Sequence, residues 1–155
     1  MGRVPRVETV QVEVLSEVTG EVVAAFERLL PQLSGSAEPL SPEALNQIVS
    51  CSSNRVLVGR GPDGIVGTLT LVMFPIPSGL RARIEDVVVD EAARGQGIGA
   101  LLTLEAMRLA RDAGARTVDL TSRPPRAAAN RLYQRLGFQL RDSQVYRCSI
   151  GAEGT

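Results

Sequence analysis

Residues Arg83 to Ala113 read RIEDVVVDEAARGQGIGALLTLEAMRLARDA, and this stretch decides the fold. It begins with Ile84 to Val89, a mostly β-branched run typical of strands that are buried on both faces. A charged loop follows, and then Gly95, Gly97 and Gly99 alternate with other residues. Glycines at the start of a helix let an anion approach unpaired backbone N–H groups at the positive end of the helix dipole. The stretch therefore predicts a strand, a phosphate-binding turn and a helix.

The predicted helix has one apolar face, and its charged residues lie mostly on the other side. Gly114 is placed to end the helix in a left-handed conformation. An apolar face of this length packs on a sheet. The residues that share this face are Ile98, Leu102, Leu109 and Ala113.

The glycine turn fits some phosphate-binding motifs and not others. A nucleoside-triphosphate P-loop needs a lysine after its last glycine, and the chain contains no lysine. A dinucleotide fingerprint is compatible with Gly95, Gly97 and Ala100. Against it, five residues separate Val89 from the first of these glycines, and only 55 residues follow Ala100. The dinucleotide motif and a loop that only turns the chain both stay open on the residues alone.

The glycine turn and a later segment together resemble one family, the GCN5-related N-acetyltransferases (GNAT). Arg94, Gly97 and Gly99 match the acetyl-CoA signature of that family, and NRLYQRLGF, from Asn130 to Phe138, matches a second stretch of it. The resemblance covers most of the chain. It implies an α/β fold with a mixed sheet, elements in the order β-α-α-β-β-β-α-β-α-β-β, and a single domain over residues 1–155.

Local patterns along the chain agree with that order. Thr19 and Ser41 are suitable N-caps for the first two helices, and Gly137 is suitable to end the last one. The helix that follows the central strand predicts that this strand and the next are parallel neighbours. The predicted strands are Thr9–Leu15, Arg55–Arg60, Ile65–Phe74, Ile84–Val89, Thr117–Thr121, Phe138–Arg141 and Val145–Ile150.

The composition excludes several kinds of chemistry. The 155 residues include 17 basic residues, all arginine, 17 acidic residues and no histidine. A Ser-His-Asp triad, a histidine metal site and a Schiff-base lysine are therefore excluded, and we expect no metal cofactor. The balanced charge, without blocks of one sign, predicts no nucleic-acid or membrane partner.

The cysteines and the apolar runs bear on the compartment. Cys51 and Cys148 are far apart and lack metal-ligand spacing, so we expect two buried free thiols. The sequence has no apolar run of membrane-spanning length, and its first residues do not read as a signal peptide. These observations predict a cytoplasmic protein.

The resemblance implies that acetyl-CoA is the cosubstrate. Its pantetheine arm is expected to pair with the backbone of Val87, Val88 and Val89, in a gap where two strands splay apart at a bulge. Many relatives carry a coenzyme-binding Asn at a position that falls on Arg126 here, and Asn130 lies one turn later on the same helical face. The residues implied to hold the pyrophosphate are Arg94, Gly95, Gln96, Gly97, Ile98, Gly99 and Ala100.

Acetyl transfer to an amine needs a base that takes a proton from the amine. The candidate base is Glu85, which has the side-chain parity of Val87 and Val89. Its plainer alternative is a surface carboxylate paired with Arg81 or Arg83. Asp86 is expected to point the other way, where it caps or pairs.

The departing thiolate needs a proton, and the resemblance implies that Tyr133 supplies it. Tyrosine suits this role because it stays protonated at neutral pH. The position that carries a catalytic Glu in some relatives is Thr121 here.

The predicted function is N-acetyl transfer from acetyl-CoA to a primary amine of a small molecule, by direct attack in a ternary complex. The alternative is a noncatalytic acyl-CoA binding or sensing module that keeps the glycine turn without a productive base. Relatives are often dimers, so a homodimer is compatible with the resemblance.

Overall fold

The computed structural model describes residues 10–151, which contain five strands and four α-helices. The predicted order is confirmed from the first strand through the last helix. Thr9, where the first strand was predicted to begin, and the residues beyond Gly151 lie outside the described residues. The strands are β1 (Gln11–Val14), β2 (Asn54–Gly61), β3 (Gly64–Ile76), β4 (Gly79–Val89) and β5 (Val118–Asp119). The helices are α1 (Gly20–Leu33), α2 (Pro42–Ser50), α3 (Ile98–Asp112) and α4 (Ala127–Arg135), with a short 3-10 turn at Glu91–Ala93.

The strands form one mixed sheet in the order β1-β2-β3-β4-β5. The first four strands are antiparallel to their neighbours, and β5 is parallel to β4. The predicted parallel pair is therefore confirmed, and Pro62 and Asp63 form the hairpin turn between β2 and β3. β3 continues past Phe74, where its predicted range ends, and Pro75 pairs opposite Leu80.

Helices cover both faces of the sheet. The predicted caps are confirmed, since the hydroxyls of Thr19 and Ser41 accept hydrogen bonds from backbone N–H groups at the starts of α1 and α2. The buried side chains of α1 and α2 share a core with Val58 and Val88 of the sheet. The other face is covered by α3, whose end is marked by Gly114 at a φ of +86°.

Two glycines bring α3 close to the strands. Gly59 and Gly67 lie opposite each other in β2 and β3. A Cβ added to Gly67 would lie 3.2 Å from the carbonyl oxygen of Val88 and 3.3 Å from a methyl group of Ile98. The helix therefore packs directly on strand backbone.

The buried face of α3 differs from the predicted one. It includes Ala106 and Ala110, whereas Leu109 is half-buried. Small alanine side chains allow a close approach, so the helix is rotated slightly from the face that its large apolar residues indicate.

The two predicted closing strands are wrong. Residues 138–150 contain no strand, and Leu140, Val145, Tyr146 and Ile150 are exposed. A β-branched or aromatic pattern stabilises a strand only when a neighbouring strand completes its hydrogen bonds and covers one face. Among residues 10–151, no ladder includes either of these segments.

The chain divides into two compact units, one ending at Thr121 and the other beginning at Ser122. The single domain over residues 1–155 stays a prediction. Cys51 and Cys148 are free thiols, as expected, but both are exposed rather than buried. Cys51 directly follows α2, and Cys148 lies in the irregular segment after α4.

Candidate active site

A β-bulge interrupts the pairing of β4 with β3. Glu85 pairs with Thr70 and Val88 pairs with Thr68, so two residues of β4 lie opposite one residue of β3. The two residues are Asp86 and Val87, so the bulge inserts one residue. Asp86 has a φ of +51°, a left-handed conformation that Asp and Asn tolerate better than other side chains. The bulge that the resemblance implied is therefore present at this position.

The bulge reverses the side-chain alternation along β4. The register places Glu85 and Val88 on the same face, towards α1 and α2. Val89 pairs with Gly67, which lies beneath α3. The predicted common face of Glu85 and Val89 is therefore wrong, because one inserted residue shifts the alternation by one.

One edge of β4 is open beyond its second pair with β5. The two strands pair only at Ala82 with Val118 and at Arg83 with Asp119. The guanidinium of Arg83 also donates a 2.7 Å hydrogen bond to the hydroxyl of Thr121. In the described part of the chain, β4 continues from Ile84 to Val89 without a β5 partner. Backbone groups at such an edge can pair with an extended ligand.

The glycine turn between β4 and α3 has the geometry of an anion-binding site. Gly97 is the N-cap of α3 with a φ of +79°, and Gly95 has a φ of +82°. No side chain caps the helix, so the first N–H groups, at Ile98, Gly99 and Ala100, have no acceptor within it. A Cβ on either turn glycine would meet no described atom within 4 Å. The turn therefore offers open space beside unpaired donors.

The flanking residues fix the turn in place. The Ile98 side chain is buried against the strands, whereas residues 94–97 are exposed. Arg94 donates from Nε to the carbonyl oxygen of Val89 at 3.4 Å, which links the turn to the end of β4. The turn thus presents its backbone to solvent.

Asp90 ties the loop between β4 and the turn to α1. Its carboxylate accepts hydrogen bonds from the N–H of Ala92 at 3.2 Å and from Arg28 at 3.0 Å. The backbone hydrogen bond, together with the Arg28 guanidinium, lowers the pKa of Asp90. Gln32 accepts a further bond from the N–H of Glu91 at 2.8 Å. Sequence reasoning did not identify this tie, because it joins residues far apart in the chain.

A cavity lies between the sheet and the first two helices. Thr68, Thr70 and Asp86 line it from the sheet. Asp86 is also solvent-exposed, so it lies at the open side. The prediction that Asp86 points away from the site is wrong, because Asp86 lines the cavity at the bulge, where one inserted residue shifts the alternation of the strand. The apolar lining is Phe26, Leu30, Leu40, Leu45, Ile48 and Val56.

The two neighbouring carboxylates differ in environment. Partial burial at the open side of the cavity raises the pKa of Asp86, and the negative charge of Glu85 raises it further. Glu85 forms an ion pair with Arg83, and 46% of its side chain is exposed. The geometry of Glu85 is thus that of the plainer alternative, a surface carboxylate paired with an arginine.

The second unit holds the remaining predicted site residues on or next to α4. Arg126 is the N-cap, and Asn130 donates from its side-chain amide to the carbonyl oxygens of Arg123 and Pro124 at 3.0 and 3.4 Å. Tyr133 is buried and packs edge-to-face on Phe138, with ring centroids 5.8 Å apart. Burial raises the pKa of Tyr133, and the charge of Arg126 opposes that shift.

The family to which the sequence matches is consistent with the bulged strand, its open edge and the glycine turn. The model of the Acetyltransferase (GNAT) family matches residues 22–138. The chain belongs to the GNAT family of acetyltransferases. Acetyl-CoA is the coenzyme that this family uses.

Solved structures resemble this GNAT protein over most of its length. A transcriptional regulator from Bacillus halodurans C-125 has a TM-score of 0.78 at 27% identity, covering 92% of this chain and 100% of the regulator. A Trypanosoma brucei acetyltransferase has a TM-score of 0.75 at 29% identity, covering 92% and 100%. Arabidopsis thaliana glucosamine-6-phosphate N-acetyltransferase, with a TM-score of 0.73 at 20% identity over 91% and 99%, is similar in fold alone. No curated protein matches the sequence significantly.

Residues 10–151 hold neither a candidate metal site nor a membrane-spanning helix. These residues contain no cluster of three or more His, Cys, Asp or Glu side chains that could hold a metal ion. Each of their helices is too short or too polar to span a membrane.

Proposed function

We propose that this GNAT protein transfers an acetyl group from acetyl-CoA to a primary amine of a small molecule, by direct attack within a ternary complex. The observation that supports the proposal most is the bulge at Asp86. The bulged strand has an open backbone edge suited to the coenzyme, and at the bulge it presents a carboxylate to a cavity suited to the acceptor.

The coenzyme would bind through backbone groups. The pantetheine arm would pair with Val87, Val88 and Val89, and the pyrophosphate would accept hydrogen bonds from the turn between Gly95 and Ala100. Arg94, exposed beside the turn, would contribute positive charge. Arg126 and Asn130 stay predicted contacts; the amide donors of Asn130 already bond to carbonyl oxygens of their own loop.

We assign the base role to Asp86 rather than to the predicted Glu85. Asp86 lines the cavity, and a raised pKa makes its carboxylate a better proton acceptor than an ordinary Asp would be. An acceptor that binds as an ammonium first loses one proton to solvent. As the neutral amine nitrogen then forms its bond to the thioester carbon, a second proton passes to Asp86 directly or through a water. The carbon–sulfur bond then breaks, and the departing thiolate takes a proton. Tyr133 stays the predicted acid, and its raised pKa keeps the phenol protonated, as that role requires.

Thermal unfolding with added acetyl-CoA, CoA, NADH or ATP tests the coenzyme. Acetyl-CoA at about 100 times its dissociation constant should stabilise the fold by roughly 2.7 kcal/mol, about 5 to 10 °C for a chain of this size. Stabilisation by NADH alone, or by neither acetyl-CoA nor CoA, would refute the proposal. Binding of acetyl-CoA without turnover of any amine would favour the noncatalytic sensing module instead.

A further inference from the structure

The cavity beside β4 is apolar apart from its open side. Its walls come from α1, α2, their connecting loop and β2, and every wall residue from these elements is apolar. Of the two threonines on the sheet side, Thr68 already donates its hydroxyl proton to the carbonyl oxygen of Leu57 at 2.8 Å. The inner surface therefore favours hydrocarbon over polar or charged groups.

The cavity has charge only at its open side. Asp86 is the one ionisable residue among the described residues that line it, and no arginine does so. A cationic ammonium group can pair with this carboxylate near solvent. A second charge at the inner end would lose its hydration without a partner, which is strongly unfavourable.

The volume of the cavity limits the size of its occupant. The cavity has a volume of about 60 Å³. One water molecule requires a cavity of about 10 to 15 Å³, so this cavity has room for more than one. A short aliphatic chain or a small ring fills such a space, and a sugar or a peptide is too large to enter whole.

We propose that the acceptor is a small monoamine whose ammonium group binds at Asp86 and whose apolar body fills the cavity lined by Phe26, Leu45 and Ile48. This inference rests on the proposed acetyl transfer and names its substrate class. Amino sugars, polyamines and amino acids are disfavoured because each carries a polar or charged group where the cavity is apolar.

Three primary amines with equal numbers of non-hydrogen atoms test the inference. Pentylamine has a methyl group at its far end, putrescine has a second ammonium there, and β-alanine has a carboxylate. The N-acetylated products are measured by mass spectrometry, since the exposed thiols of Cys51 and Cys148 would react with thiol reagents. We expect kcat/KM for pentylamine to exceed that for either charged amine by about tenfold or more.

A pair of variants on α2 tests the cavity wall. Ile48→Glu places a carboxylate at the wall and should shift the preference towards putrescine by about tenfold or more. Gln47→Glu adds the same charge at the neighbouring exposed residue and should leave the preference unchanged. If Ile48→Glu does not fold, the comparison of the three amines on the wild-type protein still decides.

The possible failures are distinguishable. Acetylation of putrescine or β-alanine as efficiently as pentylamine would overturn the inference and leave acetyl transfer standing. Acetyl-CoA binding without binding or acetylation of pentylamine would also overturn it. Failure of acetyl-CoA and CoA to stabilise the protein would instead overturn the proposed function.

Discussion

Replacing Asp86 by Asn tests the assignment of the base most directly. Asn, like Asp, tolerates the left-handed backbone at this position, so the bulge and the fold should persist. The amide cannot accept the proton of the amine. Because a positioned base contributes about 10² to 10⁴ in rate, kcat should fall by that factor, equivalent to about 3 to 5 kcal/mol of barrier.

The same variant should be more stable than the wild type at neutral pH. The raised pKa of Asp86 means that the folded state binds its proton more readily than the unfolded state does. The stability of the wild type therefore falls as the pH rises from the ordinary pKa of Asp through the raised one. Asp86→Asn removes this loss, so its advantage in unfolding free energy should be present at neutral pH and absent below the ordinary pKa.

Glu85→Gln is the matched control, because Glu85 is the adjacent carboxylate on the same strand. Turnover should be followed as product formation at saturating acetyl-CoA, and stability by urea unfolding over a range of pH. Glu85→Gln should lose far less activity than Asp86→Asn. A loss of 10² or more in Glu85→Gln, with near wild-type turnover in Asp86→Asn, would refute the assignment and restore Glu85 as the base.

Three further predictions concern the coenzyme turn, its loop and the support of α3. Gly97→Ala and Gly114→Ala both place a side chain at a positive φ with no described atom near the new Cβ, so each should lose about 1 to 2 kcal/mol of stability. Only Gly97→Ala should weaken the binding of acetyl-CoA, measured by calorimetry. Equal effects of the two variants on binding would argue against the turn as the phosphate site. Asp90→Asn should be less stable than the wild type at neutral pH. The difference should vanish as the pH falls through the lowered pKa of Asp90, because the wild type then also loses the favourable charge. A difference in stability to urea that does not depend on pH would contradict this prediction. Gly67→Ala should destabilise the fold by about 1 to 3 kcal/mol, because the added methyl group crowds the Val88 carbonyl. Gly20→Ala, in open space at the start of α1, should stabilise it by about 0.4 to 1 kcal/mol. Equal denaturation midpoints for the two variants would show that the packing of α3 does not depend on Gly67.

Patterns that depend on neighbouring residues were predictable from the sequence. The valine run of β4, the caps at Thr19 and Ser41, and the glycines that begin and end α3 each act through contacts within a few residues. The parallel pairing of β4 and β5 followed from the helix between them. These local rules give the order of elements up to α4.

The site needed information that local patterns lack. A bulge depends on how two strands pair, and the run of Glu85, Asp86 and three valines reads as an ordinary alternating strand until that pairing is known. One inserted residue changes which carboxylate reaches the cavity, so the sequence indicated Glu85 where the structure turns Asp86 inward. The closing strands failed for a related reason, since β propensity does not supply a partner strand.

The glycine pair beneath α3 bears on the entropy of coenzyme binding. Because a methyl group of Ile98 lies 3.2 Å from the Cβ position of Gly59 and 3.3 Å from that of Gly67, the first turn of α3 has little room to move towards the sheet. Donors that are already fixed lose little conformational freedom when a ligand binds. We therefore expect the flexible pantetheine arm, rather than the protein, to lose most of the conformational freedom when acetyl-CoA binds.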